Sequence, residues 1–158
     1  MSDNTAANAV INTVGIENIN HFFKKVGALN TQISREFMDH EALKNNNDNM
    51  TTAQDMCLFL DLLNNNDFLS LKSKKLLLKS MKNQQFKDKL PSYQNMFEEH
   101  VEIGNKTGTL SGLEHDIGFF STESQTVFVT VLSSGWKFNH EGQQMIAQVG
   151  KKIQEYIS

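Results

Sequence analysis

Proline, cysteine and tryptophan each occur once in these 158 residues, and tyrosine only twice. A single cysteine, Cys57, excludes an intramolecular disulfide. Set inside an apolar helical run, it reads as a buried, inert thiol. No apolar run approaches the roughly 20 residues that a membrane span needs, and no basic-apolar leader precedes Ser2. Expressed as written, the chain is expected to remain in the cytoplasm. Its formal net charge of −3 gives no general attraction to nucleic acid or an anionic membrane, so neither is an expected partner. Metals and other cofactors are not expected; His21, for example, has no second His or Cys at ligand spacing. Repeats, linkers and low-complexity segments are absent apart from short asparagine runs.

What is present is ordinary for one globular domain: 39% apolar residues, 21% charged residues and eleven phenylalanines. Residues 1–90 read as mainly helical. Asn4 or Thr5 can cap a helix running to about Val14 and stopped by Gly15. A second helix carries Ile19, Phe22, Phe23 and Val26 on one face and stops at Gly27. Both read as core helices. Between Asn30 and Asn49 the pattern dissolves into polar residues. Thr51 and Gln54 form a capping box for a helix that buries Met56, Phe59, Leu60 and Leu63 and ends at Asn64–Asp67. Ser70 caps a basic helix in which Lys72, Lys74, Lys75, Lys79 and Lys82 surround Leu76, Leu77, Leu78 and Met81. With no interleaved aromatics or arginine forks, those lysines read as a solvated face over a packed one.

The lone proline, in Lys89-Leu90-Pro91, marks the passage from helices to sheet. Within residues 98–158, strand-like runs cover about Val101–Thr107, Asp116–Ser121 and Val127–Leu132. Turns at Gly112 and at Thr122-Glu123-Ser124 join them into an antiparallel meander. Asn139 caps a last helix whose Met145, Ile146, Val149, Ile153 and Ile157 should pack across one face of that sheet. The fold class is therefore α+β, a helical layer with a three-strand meander and a C-terminal helix. The first strand is the most informative stretch. Its alternation runs into Lys106-Thr107-Gly108 and breaks at Gly112, gathering an ammonium, a hydroxyl and a side-chain-free glycine at the strand's C-terminal end. Such a group suits a ligand carboxylate.

Ser2-Asp3-Asn4, followed by Thr5-Ala6-Ala7-Asn8, adds a second motif. Lys106 follows Asn4 by 102 positions. An SDN and a KTG at this separation resemble two of the three active-site elements of class A β-lactamases and penicillin-binding serine hydrolases. Met50-Thr51-Thr52-Ala53-Gln54-Asp55-Met56 and His115-Asp116-Ile117-Gly118 fit the same pattern. The resemblance extends along the whole chain but matches only the C-terminal part of that family's domain. It implies that Ser2 relays a proton to the leaving nitrogen, that Asn4 orients the substrate amide, and that Lys106, Thr107 and Gly108 hold the carboxylate of a β-lactam or peptidoglycan-type peptide. Asp3 is then a structural hydrogen-bonder in its loop. The polar stretch corresponds to the family's Ω-loop, in which a Glu with an Asn four residues on holds the deacylating water. Glu41 and Asn45 have that spacing without the surrounding text, and a solvated loop carboxylate is the plain alternative. Family members are usually exported, which implies an extracytoplasmic site for a full-length relative.

The third element, a nucleophilic Ser with Lys three residues on, lies upstream of SDN in the family. The one literal match here, Ser134-Gly135-Trp136-Lys137, follows the third strand in a glycine-containing turn, where the two side chains do not share a helical face. The expectation is a C-terminal portion of a β-lactamase-like hydrolase that is inactive alone and marginal, self-associating or dependent on an upstream partner. A non-catalytic module binding a carboxylate or cell-wall peptide is the alternative. A cryptic nucleophile at Ser134 or Ser2 is a third possibility.

Overall fold

A computed structural model of the chain describes residues 2–64, 68–96 and 101–157. It divides into two compact units, residues 1–56 and 57–158, with the division falling inside one helix. Among the described residues the elements run α1 (Asn4–Val14), α2 (Ile16–Lys25), α3 (His40–Lys44), α4 (Ala53–Asn64), α5 (Leu71–Lys82), a 3-10 turn at Gln94–Met96, β1 (Glu102–Leu110), β2 (Leu113–Ser121), β3 (Thr126–Ser134) and α6 (Asn139–Ile157). The family-level expectation of an α+β fold with a three-strand antiparallel meander and a closing helix holds.

In the first unit the cap of α1 is Asp3, not Asn4 or Thr5. The Asp3 carboxylate accepts from the Ala6 N–H at 3.1 Å, a geometry that an extended residue just outside the helix can reach. Gly15, at φ +86°, ends α1 as expected. Neither helix is a core helix here: α1 buries only Ile11, α2 buries no residue, and Val10 and Val14 are exposed. Asparagine side chains hold the polar stretch by imitating peptide groups. Asn20 brackets Ile33, accepting from its N–H at 2.8 Å and donating to its carbonyl at 2.7 Å. Asn8 treats Phe37 in the same way, while Asn49 accepts from the Ser34 and Arg35 amides. Arg35 pairs with Asp48 at 2.7 Å, and a Gln32–Met50 bridge closes the loop. Single asparagines on α1 and α2, with Asn49, thus close a loop too polar to fold by burial.

The capping residue of α4 is Thr52, whose hydroxyl accepts from the Asp55 N–H at 3.2 Å, instead of Thr51 with Gln54. The Asp55 carboxylate is buried and accepts from Asn30 N–H and the Thr31 hydroxyl, both at 2.8 Å. Leu60 and Leu63 are buried, but Met56 and Phe59 only half so. Cys57 is exposed, contrary to the buried thiol expected. The expected stop at Asn64–Asp67 lies in part outside the described residues.

In the second unit, Ser70 caps α5 as expected, its hydroxyl accepting from Ser73 N–H. The packed face is narrower than expected: Leu76 and Leu77 are exposed, whereas Met81 lies against β1 at Gly104. β1, β2 and β3 pair antiparallel in chain order, and a two-residue turn at Ser111 and Gly112 (φ +72°) lengthens β1 and β2 beyond their expected ends. One face packs on α6. The core there joins Leu90, Val101, Ile103, Phe120 and Val129 with Ile146 and Ile157, flanked by the expected Met145, Val149 and Ile153. Gly150 lets α6 approach closely: a Cβ there would lie 2.1 Å from the Leu90 carbonyl oxygen. Asn139 does not cap α6. Its amide donates to the Leu110 carbonyl and Glu114 Oε1, both at 2.7 Å, and its oxygen accepts from Gly112 N–H, so it fastens the β1–β2 turn.

Candidate functional site

Lys106, Thr107 and Gly108 lie within β1, three residues short of its beginning to turn, and not at the strand's C-terminal end. β1 is an edge of the described sheet. Alternation puts Lys106 on the face of Gly104 and Gly108, and Thr107 on the opposite face with buried Asn105. The ammonium and hydroxyl therefore flank a shared edge and do not share a face. Lys106 is exposed, and its Nζ donates to the Thr107 carbonyl at 2.5 Å.

Behind this edge lies a buried polar cluster that the sequence reading missed. Lys89 is 1% exposed and pairs with fully buried Glu114. Its ammonium also donates to the carbonyls of Gly108 (2.9 Å) and His115 (3.0 Å), opposed residues of the β1–β2 ladder, and to the Thr109 hydroxyl at 3.0 Å. Glu114 accepts further bonds from Thr109, Asn139 and Gln143. Burial alone would push the Glu114 carboxyl up. The bonds from Lys89, Asn139 and Thr109, with the Lys89 charge, outweigh it and hold the group below its ordinary value. Lys89 thus clamps the Gly108 end of the motif from inside the sheet.

Asp116 sits opposite Thr107 in the ladder and is wholly buried. It accepts from Leu90 N–H at 3.1 Å and from the Asn105 amide at 3.1 and 3.0 Å. Burial pushes its carboxyl up to about 6 despite those bonds and the nearby Lys89. Desolvation lowers Lys106's hold on its proton; the Asp116 charge opposes that lowering and Lys89 adds to it.

Ser2, Asn4 and Glu41 belong to the first unit. Ser2 and Asn4 flank the capping Asp3 and are exposed, Asn4 being the first residue of α1. Glu41 is exposed on α3, and Asn45 closes that helix. Ser134 ends β3 and Gly135 follows at φ +84°, so Ser134 and Lys137 lie on no common helix. Among the described residues no group of three His, Cys, Asp or Glu could hold a metal, and no helix is long and apolar enough to cross a membrane. Of the buried cluster, period-two spacing puts Glu114 and Asp116 on one face, but nothing in the spacing distinguishes the core face from the wet one. Lys89 carried no signal at all.

The profile of the Beta-lactamase enzyme family matches residues 1–157, and the chain belongs to that family. Among solved structures, a β-lactamase from Sphaerobacter thermophilus is 29% identical with a TM-score of 0.85, over 95% of this chain and 56% of that one. PBP-A is 23% identical with a TM-score of 0.82, over 99% of this chain and 57% of its own; a mutant of it is described as an acyl-enzyme complex with penicillin G. A class A β-lactamase representative from Bacteroides cellulosilyticus is 21% identical with a TM-score of 0.77, over 94% of this chain and 57% of that one. The chain thus spans somewhat over half the length of these relatives. No curated protein matches it significantly in sequence.

Proposed function

We propose that this chain supplies the carboxylate-holding and proton-relay portion of a β-lactamase-like serine hydrolase. The observation that carries the reading is Lys106 on the outer edge of β1, in a motif whose Gly108 end is held from behind by Lys89, in a chain of the Beta-lactamase enzyme family. Lys106 gives the point charge for the carboxylate of a β-lactam or acyl-peptide, Thr107 a neutral donor, and Gly108 close access to the strand. A serine hydroxyl adds to the acyl carbonyl, its proton passing to a base; the C–N bond then breaks as Ser2 delivers a proton to the leaving nitrogen. Asn4 orients the substrate amide, and Glu41 with Asn45 positions the water that releases the acyl group. Ser134 and Lys137 lack the geometry for the first step, so these 158 residues do not acylate alone and the nucleophile comes from outside them.

Fluorescent penicillin labelling tests this. The expected result is no label on the chain alone, and label when it is co-expressed with the part of the S. thermophilus β-lactamase that the match leaves uncovered. Labelling of the chain alone overturns it. A non-catalytic carboxylate or cell-wall-peptide module is favoured by one observation, that the Lys89 clamp orders the motif with no nucleophile present; saturable binding with no label under either condition supports that reading instead.

A further inference from the structure

Charges buried behind β1 do not balance. Lys89 and Glu114 neutralise one another in a pair closed by hydrogen bonds on both partners. Asp116 has no such cation. Its bonds come from an uncharged backbone amide and an uncharged side-chain amide, and the oxygen of that same Asn105 is itself buried without a hydrogen-bond partner. The charged and titratable groups around it are Lys87, Asp88 and Lys89 on the segment before β1, Lys106 on β1, and Glu114 and His115 on β2. From α6, Gly150 packs on Leu90, with Lys151 next in the chain. Asp116 pairs with Thr107 in the ladder and accepts from Asn105, the two residues that flank Lys106 on β1, and of the ammonium groups near its charge only Lys106 belongs to the motif at the sheet's outer edge.

We infer that Asp116 is a positioning residue for the Lys106 anion site, an internal counter-ion across β1 with which a ligand carboxylate must compete. The inference rests on the reading of Lys106 as a carboxylate site. Two opposing effects follow. A negatively charged Asp116 strengthens Lys106's hold on its proton, against the weakening that desolvation brings. The same charge repels the ligand's carboxylate, because a buried charge is only partly screened. Near neutral pH Lys106 is charged in either case, so repulsion governs affinity. Carboxylate binding therefore tightens as Asp116 takes up its proton, and Asp116→Asn fixes the site in its tight state.

The test has two readouts on the 158-residue chain. Nitrogen-15 NMR of the Lys106 ammonium, in wild type and Asp116→Asn, reports the coupling without any ligand. Titration with phenylacetate from pH 5 to 7.5, followed at the Thr107 and Thr109 amides, reports the affinity. Expected are a lowered Lys106 titration midpoint in the variant, wild-type affinity roughly fivefold to tenfold tighter at pH 5 than at pH 7.5, and variant affinity flat and tight across the range. Because the wild-type profile needs no mutation, it stands even if the variant folds poorly. An unchanged Lys106 midpoint in a folded variant, or a flat wild-type affinity, overturns the inference. If phenylacetate shifts neither amide while the Lys106 midpoint still falls, the Asp116–Lys106 coupling is supported and the carboxylate-site reading is what fails.

Discussion

Replacing Asp116 by asparagine should stabilise the chain at neutral pH and leave it almost unchanged in acid. The carboxyl has an ordinary value of 3.8 and is pushed up to about 6 by burial. Between those values the folded state holds a proton that the unfolded state has lost, so stability falls as pH rises and the loss is complete above the folded value. At about 1.36 kcal/mol per pH unit, the rise amounts to about 3 kcal/mol at pH 7.5. Asparagine carries no charge and can still accept from Leu90 N–H, so it avoids that cost. Glu114 acts in the opposite sense: held below its ordinary value, it lends stability that is present at neutral pH and fades as pH falls. It does so in both proteins and cancels from the comparison. For a chain of this length about 3 kcal/mol corresponds to a rise in Tm of roughly 6–12 °C. Thermal unfolding followed by circular dichroism at pH 4 and pH 7.5 should show a gain at the higher pH alone. A variant equally destabilised at both would refute the reasoning, since lost hydrogen-bond geometry would then outweigh the buried charge.

Gly150→Ala should lower stability by roughly 2–4 kcal/mol in a urea titration, because the new Cβ would lie 2.1 Å from the Leu90 carbonyl oxygen. The sign is the reverse of the helix-propensity gain that alanine brings elsewhere. Lys89→Met should cost about 3–5 kcal/mol by stranding buried Glu114, and Lys89→Met with Glu114→Leu should recover a large share of it in the same assay. Cys57 should react with a thiol reagent at one equivalent per folded chain; protection until unfolding would contradict its exposure.

The sheet and α6 were legible because their patterns are strong. Val127–Leu132 is a β-branched and aromatic run of strand length, and Met145 to Ile157 repeats at helical spacing. Strand ends were less legible: the tight turn at Ser111 and Gly112 carries pairing almost to the glycine, which moves Lys106-Thr107-Gly108 into the strand. Caps failed by one residue at α1 and α4 because Asp3, Asn4 and Thr5, or Thr51 and Thr52, are all competent caps, and only the entry angle of the chain selects among them. Lys89 was invisible for a different reason. Lysine is almost never buried, and only a tertiary arrangement of Gly108, Thr109, Glu114 and His115 makes its burial tolerable. Cys57 and Leu76 were misjudged because an apolar run marks a helix without saying which of its faces is covered.

The most direct test of the central claim is the intact mass of the purified chain after incubation with penicillin G, with light scattering on the same sample. The expected result is an unmodified mass. One acyl adduct on a stable monomer, lost on Ser134→Ala or Ser2→Ala, would contradict it and give these residues a nucleophile of their own.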